Sequence, residues 1–197
     1  MKARILATAT LALALFATPV IAETPASVAT YEIDTSHTYL GFAISHLGFS
    51  TTYGRFTDVS GSITFNEENP EASSVEVRIV PASLYTGHEE RDKHVRGKDF
   101  LNVEEFPEMS FISTAIERTG EKTGKITGDL TLHGVTKPVT LEATFTRMGE
   151  YPMQKGVKAI GFEATGSLKR SDFGIETYLP AIGDEVSITI SLEAMQK

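Results

Sequence analysis

Five histidines, His37, His46, His88, His94 and His133, are the side chains best suited by type to move protons near neutral pH or to hold a metal ion. Their spacing argues against a metal centre. The run His88-Glu-Glu-Arg-Asp-Lys-His94 imitates a zinc helix, but its two histidines are six residues apart and fall on different helix faces, where His-Glu-x-x-His needs i and i+4. No resident metal and no cofactor is expected. His46 closes an apolar strand face and reads as a hydrogen-bonded residue at a strand end.

Covalent chemistry finds no better support. Gly48-Phe-Ser-Thr-Thr52 lacks the second glycine of a nucleophile elbow. Gly120-Glu-Lys-Thr-Gly124-Lys125 is one residue short of a phosphate loop, and Ile126 follows where Ser or Thr would hold magnesium. Gly-x-Gly-x-x-Gly is absent. The segment from Glu89 to Asp99 mixes both signs of charge, with Arg91 and His94 on one helix face and Asp92 four residues ahead of Arg96. It fits a solvated, salt-bridged helix, or a polar gate over a barrel mouth.

The elements that must position these residues are mostly strands. Leu40, Phe42, Ile44 and His46 alternate with Tyr39, Gly41, Ala43 and Ser45, which is the period of a strand with one buried face. The same alternation runs through Gly61-Phe65, Val75-Ile79, Met109-Ser113, Ile126-Leu132, Val139-Phe145, Ile160-Leu168 and Val186-Leu192. Turn residues lie at Asn66-Pro70, Thr119-Gly124, Gly134-Pro138 and Ala181-Asp184, and such short links imply antiparallel neighbours. The one helix is expected over Thr86-Arg96, with Thr86 and Glu89 at capping-box spacing and Gly97 ending it in a left-handed conformation. About eight antiparallel strands can form a sandwich or a barrel; in-strand Gly41, Gly61, Gly128 and Gly166 suggest the curvature of a closed barrel.

Lys plus Arg is 18 against 26 Asp plus Glu in 197 residues, a net charge of −8, which excludes nucleic acid as a partner. Lys2 and Arg4, the apolar run Ile5-Phe16 and the small residues around Ala22 read as a signal peptide over 1–22. Its apolar core, about a dozen residues, is shorter than the ~20 of a spanning helix. A flexible leader is expected at 23–30 and a single domain at 31–197, ordered from Tyr31. The chain has no cysteine, so burial and backbone pairing alone must hold it. Eleven Phe and no Trp are present, with Phe42, Phe65, Phe111, Phe145 and Phe162 on the inward faces. Composition alone favours a packed interior; the alternative is a cavity for one long apolar chain, where ten methylenes would contribute about 8 kcal/mol.

Five separated motifs then bear on the choice. Tyr31-Glu-Ile-Asp34-Thr-Ser-His37 with Phe42-Ala-Ile-Ser-His46-Leu-Gly48 and Gly54-Arg-Phe56, the run Arg91 to Pro107, Gly128-Asp-Leu-Thr-Leu-His133-Gly134-Val-Thr-Lys-Pro138, Arg170-Ser-Asp172-Phe173-Gly174, and Ile182-Gly-Asp184-Glu185 occur in order. Together they resemble the YceI-like family of polyisoprenoid-binding periplasmic proteins. The resemblance implies an all-β fold, an eight-stranded antiparallel lipocalin-like β-barrel with one short helix, whose pore takes an isoprenoid chain such as a quinone tail or polyprenyl phosphate. The protein would be a non-enzymatic periplasmic carrier; the rival reading is an enzyme acting on a prenyl substrate through His46, His94 or Asp92. Lining is expected from Phe42, Ile44, Phe65, Phe111, Leu130, Leu132, Phe145, Ile160, Phe162 and Ile188. The resemblance makes Arg91 and His94 head-group donors at the mouth, with Asp92 beside them and Phe100 as a gate. Arg170 and Asp172 are expected to pair around Gly174. Membrane contact would be transient, without stable insertion, and the oligomeric state is open, a homodimer included.

Overall fold

The computed structural model describes residues 28–197. The expected signal peptide, and residues 23–27 of the expected leader, lie outside the described residues. Eleven strands form where one face meets the interior: β1 (Val28–Ile33), β2 (Tyr39–His46), β3 (Ser50–Phe56), β4 (Val59–Asn66), β5 (Ser74–Ile79), β6 (Leu84–Tyr85), β7 (Met109–Arg118), β8 (Thr123–Leu132), β9 (Val135–Glu150), β10 (Lys158–Lys169) and β11 (Ile182–Gln196). Helix α1 (Glu89–Arg96) lies between β6 and β7. Every strand pairing is antiparallel.

Eight strands close a ring in the order β1-β4-β5-β7-β8-β9-β10-β11, with β1 pairing back onto β11. The eight-stranded antiparallel barrel expected from the alternation is therefore present. Its membership differs by one strand. β11 gives one edge to β10 and divides the other, pairing with β1 through residues 194–196 and with β2 through residues 186–191. Beyond β2 the sheet continues through β3 to β6. The wall is thus tight at the β1 end and extended by three extra strands at the other. Tyr31, Ile63, Ile160 and Ala194 fill the tight end, while Val59, Ile79, Met109, Leu132, Phe173 and Ile175 belong to the cluster at the extended end. Register shifts at Gly161/Phe162 and Ser113/Ala115 mark bulges that bend the wall.

The in-strand glycines contribute more than curvature. A Cβ at Gly54 would stand 2.3 Å from Cζ of Phe42, and one at Gly128 would stand 2.4 Å from Cζ of Phe111. Bare backbone on the neighbouring strand gives these inward rings their room.

Four local expectations are corrected. β1 begins at Val28, three residues before Tyr31, because Val28–Thr30 pair with Thr64–Asn66 of β4 despite their weak apolar pattern. α1 begins at Glu89, and its N-cap is His88, whose Nδ1 accepts the Arg91 backbone N–H at 3.3 Å. Gly97 has φ −72° and is not left-handed; its N–H donates to the His94 carbonyl. Finally, Arg170 does not pair with Asp172. Its buried guanidinium donates to the carbonyls of Gly183 (2.8 Å), Ile175 (2.9 Å), Thr177 (2.9 Å) and Ile182 (3.0 Å), while Asp184 accepts from Ser171. Carbonyls converging from a loop satisfy the planar fork better than one carboxylate. At the tight pole the Lys197 N–H donates to the Thr30 carbonyl at 3.2 Å, and Lys197 Nζ lies 2.5 Å from Glu32 Oε1.

Between β1 and β2 the Asp34 carboxylate accepts from the Ser36 N–H (2.9 Å) and hydroxyl (2.6 Å) and from His37 Nδ1 (2.8 Å). The His37 bond leads in holding Asp34 down at about 2, and the same bond raises the His37 pKa. A lowered Asp34 stabilises the turn above the ordinary aspartate range and loses that effect as pH falls toward 2. A raised His37 stabilises it below the ordinary histidine range and loses that effect as pH climbs through the raised value. His37 should titrate above the ordinary value by NMR and return toward it in Asp34→Asn; the same His37 titration in both would refute the pair. Arg170→Met removes the donor from one buried and three partly buried carbonyls and should cost about 3 kcal/mol, measured as a lower urea midpoint at unchanged slope.

Candidate functional site

The barrel interior is not filled by its own side chains. A cavity of about 820 Å³ runs inside it, walled by apolar residues of β2, β4, β5 and β7–β11. It reaches Leu132 at one end of β8 and Thr123 at the other, a span of about 30 Å at ~3.3 Å per residue. This corrects the packed interior that composition alone favours. Alternation cannot report volume, and the inward side chains leave space between them.

Of the expected lining, Phe42, Ile44, Phe65, Phe111, Leu130, Leu132, Phe145, Phe162 and Ile188 face the cavity. Ile160 does not. It shares the parity of Phe162 but is 1% exposed inside the tight-end cluster, where the ring has already closed. Phe65, Phe145 and Phe162 form an aromatic group between that cluster and the cavity, with centroids 5.7–6.2 Å apart, and of the cluster's buried residues Ile63 still reaches the cavity wall. Leu141, Ala143, Ala164, Val75, Val77 and Ile190 also line it, carried by the same alternation but absent from the sequence expectation.

The mouth lies at the extended end. Thr86, Arg91, His94, Phe100, Tyr178 and His46 border it. Arg91 donates through Nε to Thr86 Oγ1 and through Nη2 to the Thr86 carbonyl, both at 2.8 Å. Asp92, expected among the head-group residues, is buried and does not line the cavity; its Oδ1 accepts from the Thr86 N–H and hydroxyl. It positions Thr86, which in turn holds Arg91. The reason lies in α1, where adjacent residues point in different directions, so Arg91 and Asp92 cannot share a face. His94 packs edge-on to Phe100 (5.2 Å) and Tyr178 (6.0 Å), and its Nε2 lies 3.8 Å from Asp99. His46 is exposed on the rim, with no side-chain hydrogen bond to the described residues, contrary to expectation; its strand ends where the turn leaves it in solvent.

Beneath the rim, Arg170 lines the cavity at 4% exposure with Phe100 5.9 Å from its guanidinium carbon. Burial lowers its pKa from the usual arginine range, and Asp184 opposes that. No sequence pattern announces Arg170 or Tyr178 as rim residues. At the far end the cavity wall includes Glu117, Arg118, Glu121 and Lys122 of the β7–β8 turn region. Among the described residues, the one grouping of three metal-type ligands is Asp34, His37 and Glu193, which does not line the cavity. Also among the described residues, no helix is long and apolar enough to cross a membrane.

Comparison with known proteins adds to this geometry. A model of the YceI-like domain matches residues 31–194. "Protein YceI" of Escherichia coli O157:H7 is 46% identical over 184 residues, covering 92% of this chain and 95% of that protein. Burkholderia cenocepacia BcnA has a TM-score of 0.74 at 25% identity, covering 82% of this chain and 99% of its own. A polyisoprenoid binding domain from Saccharophagus degradans has the same fold, with a TM-score of 0.66 at 17% identity over 86% of this chain and 99% of its own.

Ala164 supplies a small side chain to the middle of the wall, opposite Ala143 and Ile190. Ala164→Trp should place its ring in the empty space, so the urea midpoint stays within error while uptake of N-phenylnaphthylamine falls at least about tenfold. A loss of several kcal/mol with uptake retained would mean that the ring found no room.

Proposed function

We propose, from the premise that this chain belongs to the YceI-like domain family, that it is a non-enzymatic binding protein for a polyisoprenoid or similar long-chain lipid. The observation that carries the reading is the apolar cavity of about 820 Å³ along the barrel axis. At ~30 Å³ per water-sized group it has room for roughly 27 such groups, on the order of five isoprene units. Burial supplies the affinity: at ~0.8 kcal/mol per methylene, ten buried methylenes contribute about 8 kcal/mol, enough for micromolar binding before ordering costs. The fold shared with the polyisoprenoid binding domain of Saccharophagus degradans supports the same ligand class.

In this reading the chain enters at the extended end, and its head group stays between α1 and the loop bearing Tyr178. Arg91 keeps one nitrogen, Nη1, outside its two bonds to Thr86, so it offers a donor to a phosphate or quinone oxygen. His94 offers a ring nitrogen beside it, and Phe100 covers the entrance. Asp92 acts through Thr86. Storage or transport in the periplasm follows from the sequence of residues 1–22 together with this binding mode.

Extraction of natively purified protein with organic solvent should yield a prenyl lipid by mass spectrometry, chemically unchanged after long incubation with the protein. Phe162→Asp puts a carboxylate against the apolar wall and should abolish uptake of a fluorescent prenyl probe; Glu142→Lys, on the outer face of β9, should leave it unchanged. Ala164→Trp guards against misfolding of the first variant. Extracts without lipid, together with no probe uptake, would overturn the reading.

A further inference from the structure

Among the described residues, four other than glycine have positive φ: Leu47 (53°), Asn102 (44°), His133 (52°) and Tyr178 (62°). Two of them have an evident local reason. Asn102 is a residue type that tolerates this region, and its Nδ2 donates to Glu105 at 2.7 Å. His133 opens the β8–β9 turn and is anchored there, with Nδ1 3.1 Å from the Phe173 carbonyl and its ring 4.6 Å from that of Phe106. The other two are large apolar-bodied side chains left in solvent, Leu47 at 52% and Tyr178 at 56% exposure.

Leu47 and Gly48 (φ 70°) are the central pair of the three-residue connection Leu47-Gly48-Phe49 between β2 and β3, closed by the Phe49 N–H donating to the His46 carbonyl at 3.0 Å, and Asn-Gly is the favoured pair at such positions. Leucine there meets the steric cost of the left-handed region without recovering it by burial. Phe49 follows at 90% exposure. The two strained residues share one rim: the Leu47 N–H donates to the Ala181 carbonyl at 2.7 Å, and the Ile182 N–H donates to the Tyr178 carbonyl at 2.8 Å. Both Leu47 and Tyr178 also line the cavity. Adjacent apolar side chains therefore lead from the exposed tip at Phe49 to Leu47, which lines the cavity.

We propose that this rim, Leu47, Phe49 and Tyr178, docks on the surface of a lipid bilayer and gives cargo a water-free path between membrane and cavity. The proposal rests on reading the cavity as a chamber for a prenyl chain. Such a chain crossing open water would lose the whole of its burial energy at the rim, so continuity between tip and chamber identifies a bilayer as the occupant. The phenolic ring of Tyr178 beside two wholly apolar side chains suits the interface between head groups and acyl chains. Insertion would be shallow and reversible, since it engages one turn and one loop.

The chain contains no tryptophan, so Phe49→Trp gives a single emitter. With vesicles of phosphatidylethanolamine and phosphatidylglycerol, its emission should shift to the blue and be quenched by brominated acyl chains. Ile112→Trp, on the exposed face of β7, should do neither. Phe49 does not line the cavity, so Phe49→Ser should take up a fluorescent prenyl probe delivered in ethanol as the unaltered protein does. The same variant should extract that probe from vesicles at least about tenfold more slowly. Vesicle-insensitive emission at position 49, or equal extraction rates, would overturn the docking. So would self-association abolished by Phe49→Ser, which would make a second copy the occupant. Failure of uptake from ethanol would instead overturn the chamber reading, and quenching, which needs no cargo, separates the two failures.

Discussion

A strand has two hydrogen-bonding edges, and β11 has three neighbours. Because β10 takes one edge entirely, β1 and β2 must divide the other, and they divide it along its length. Where β1 pairs, the ring closes on eight strands and its side chains meet. Where β2 pairs, the wall runs on through β3 and β6, and the inward residues no longer reach across. One fork in the ladder thus gives the molecule a narrow end and a wide end, and the mouth forms where α1 and the loop bearing Tyr178 cover the wide one.

An unfilled interior shifts the burden of stability. Protein cores are ordinarily packed near crystal density, and an apolar wall facing space forgoes the contacts that density provides. With no cysteine to cross-link it, the fold relies on backbone ladders, the clusters toward the two ends and the clamp of Arg170 on four carbonyls. Occupancy would return part of the missing burial. A ligand at 100 times its dissociation constant adds about 2.7 kcal/mol to folding, so the filled state is expected to be the more stable one.

How much was legible in the sequence follows from which force acts on each residue. Strands such as β5 and β10 announce themselves because one face is apolar throughout, and their inward positions were readable for the same reason. β3 was hidden because its inward positions are Thr52, Gly54 and Phe56, the glycine being demanded by the Phe42 ring of the next strand. The first half of β1 carries no strand pattern, because pairing with β4, not side-chain alternation, orders Val28 to Thr30. Ile160 has the parity of a lining residue, but parity says nothing about where along its axis a barrel seals. Arg170 and Asp92 bind backbone groups or a neighbouring threonine, partners that no spacing of charges reveals. The volume inside was illegible altogether, being a property of ring circumference and not of any residue.

The last residue and the first strand meet at one pole, where Lys197 is tied to Thr30 and Glu32. That pole is the narrow one, opposite the mouth. A fusion partner, affinity handle or surface linker joined after Lys197 would consequently hang from the base of the molecule and point the entrance away from its support. Immobilised in that orientation, every copy would present its opening to the surrounding medium, with α1 unobstructed.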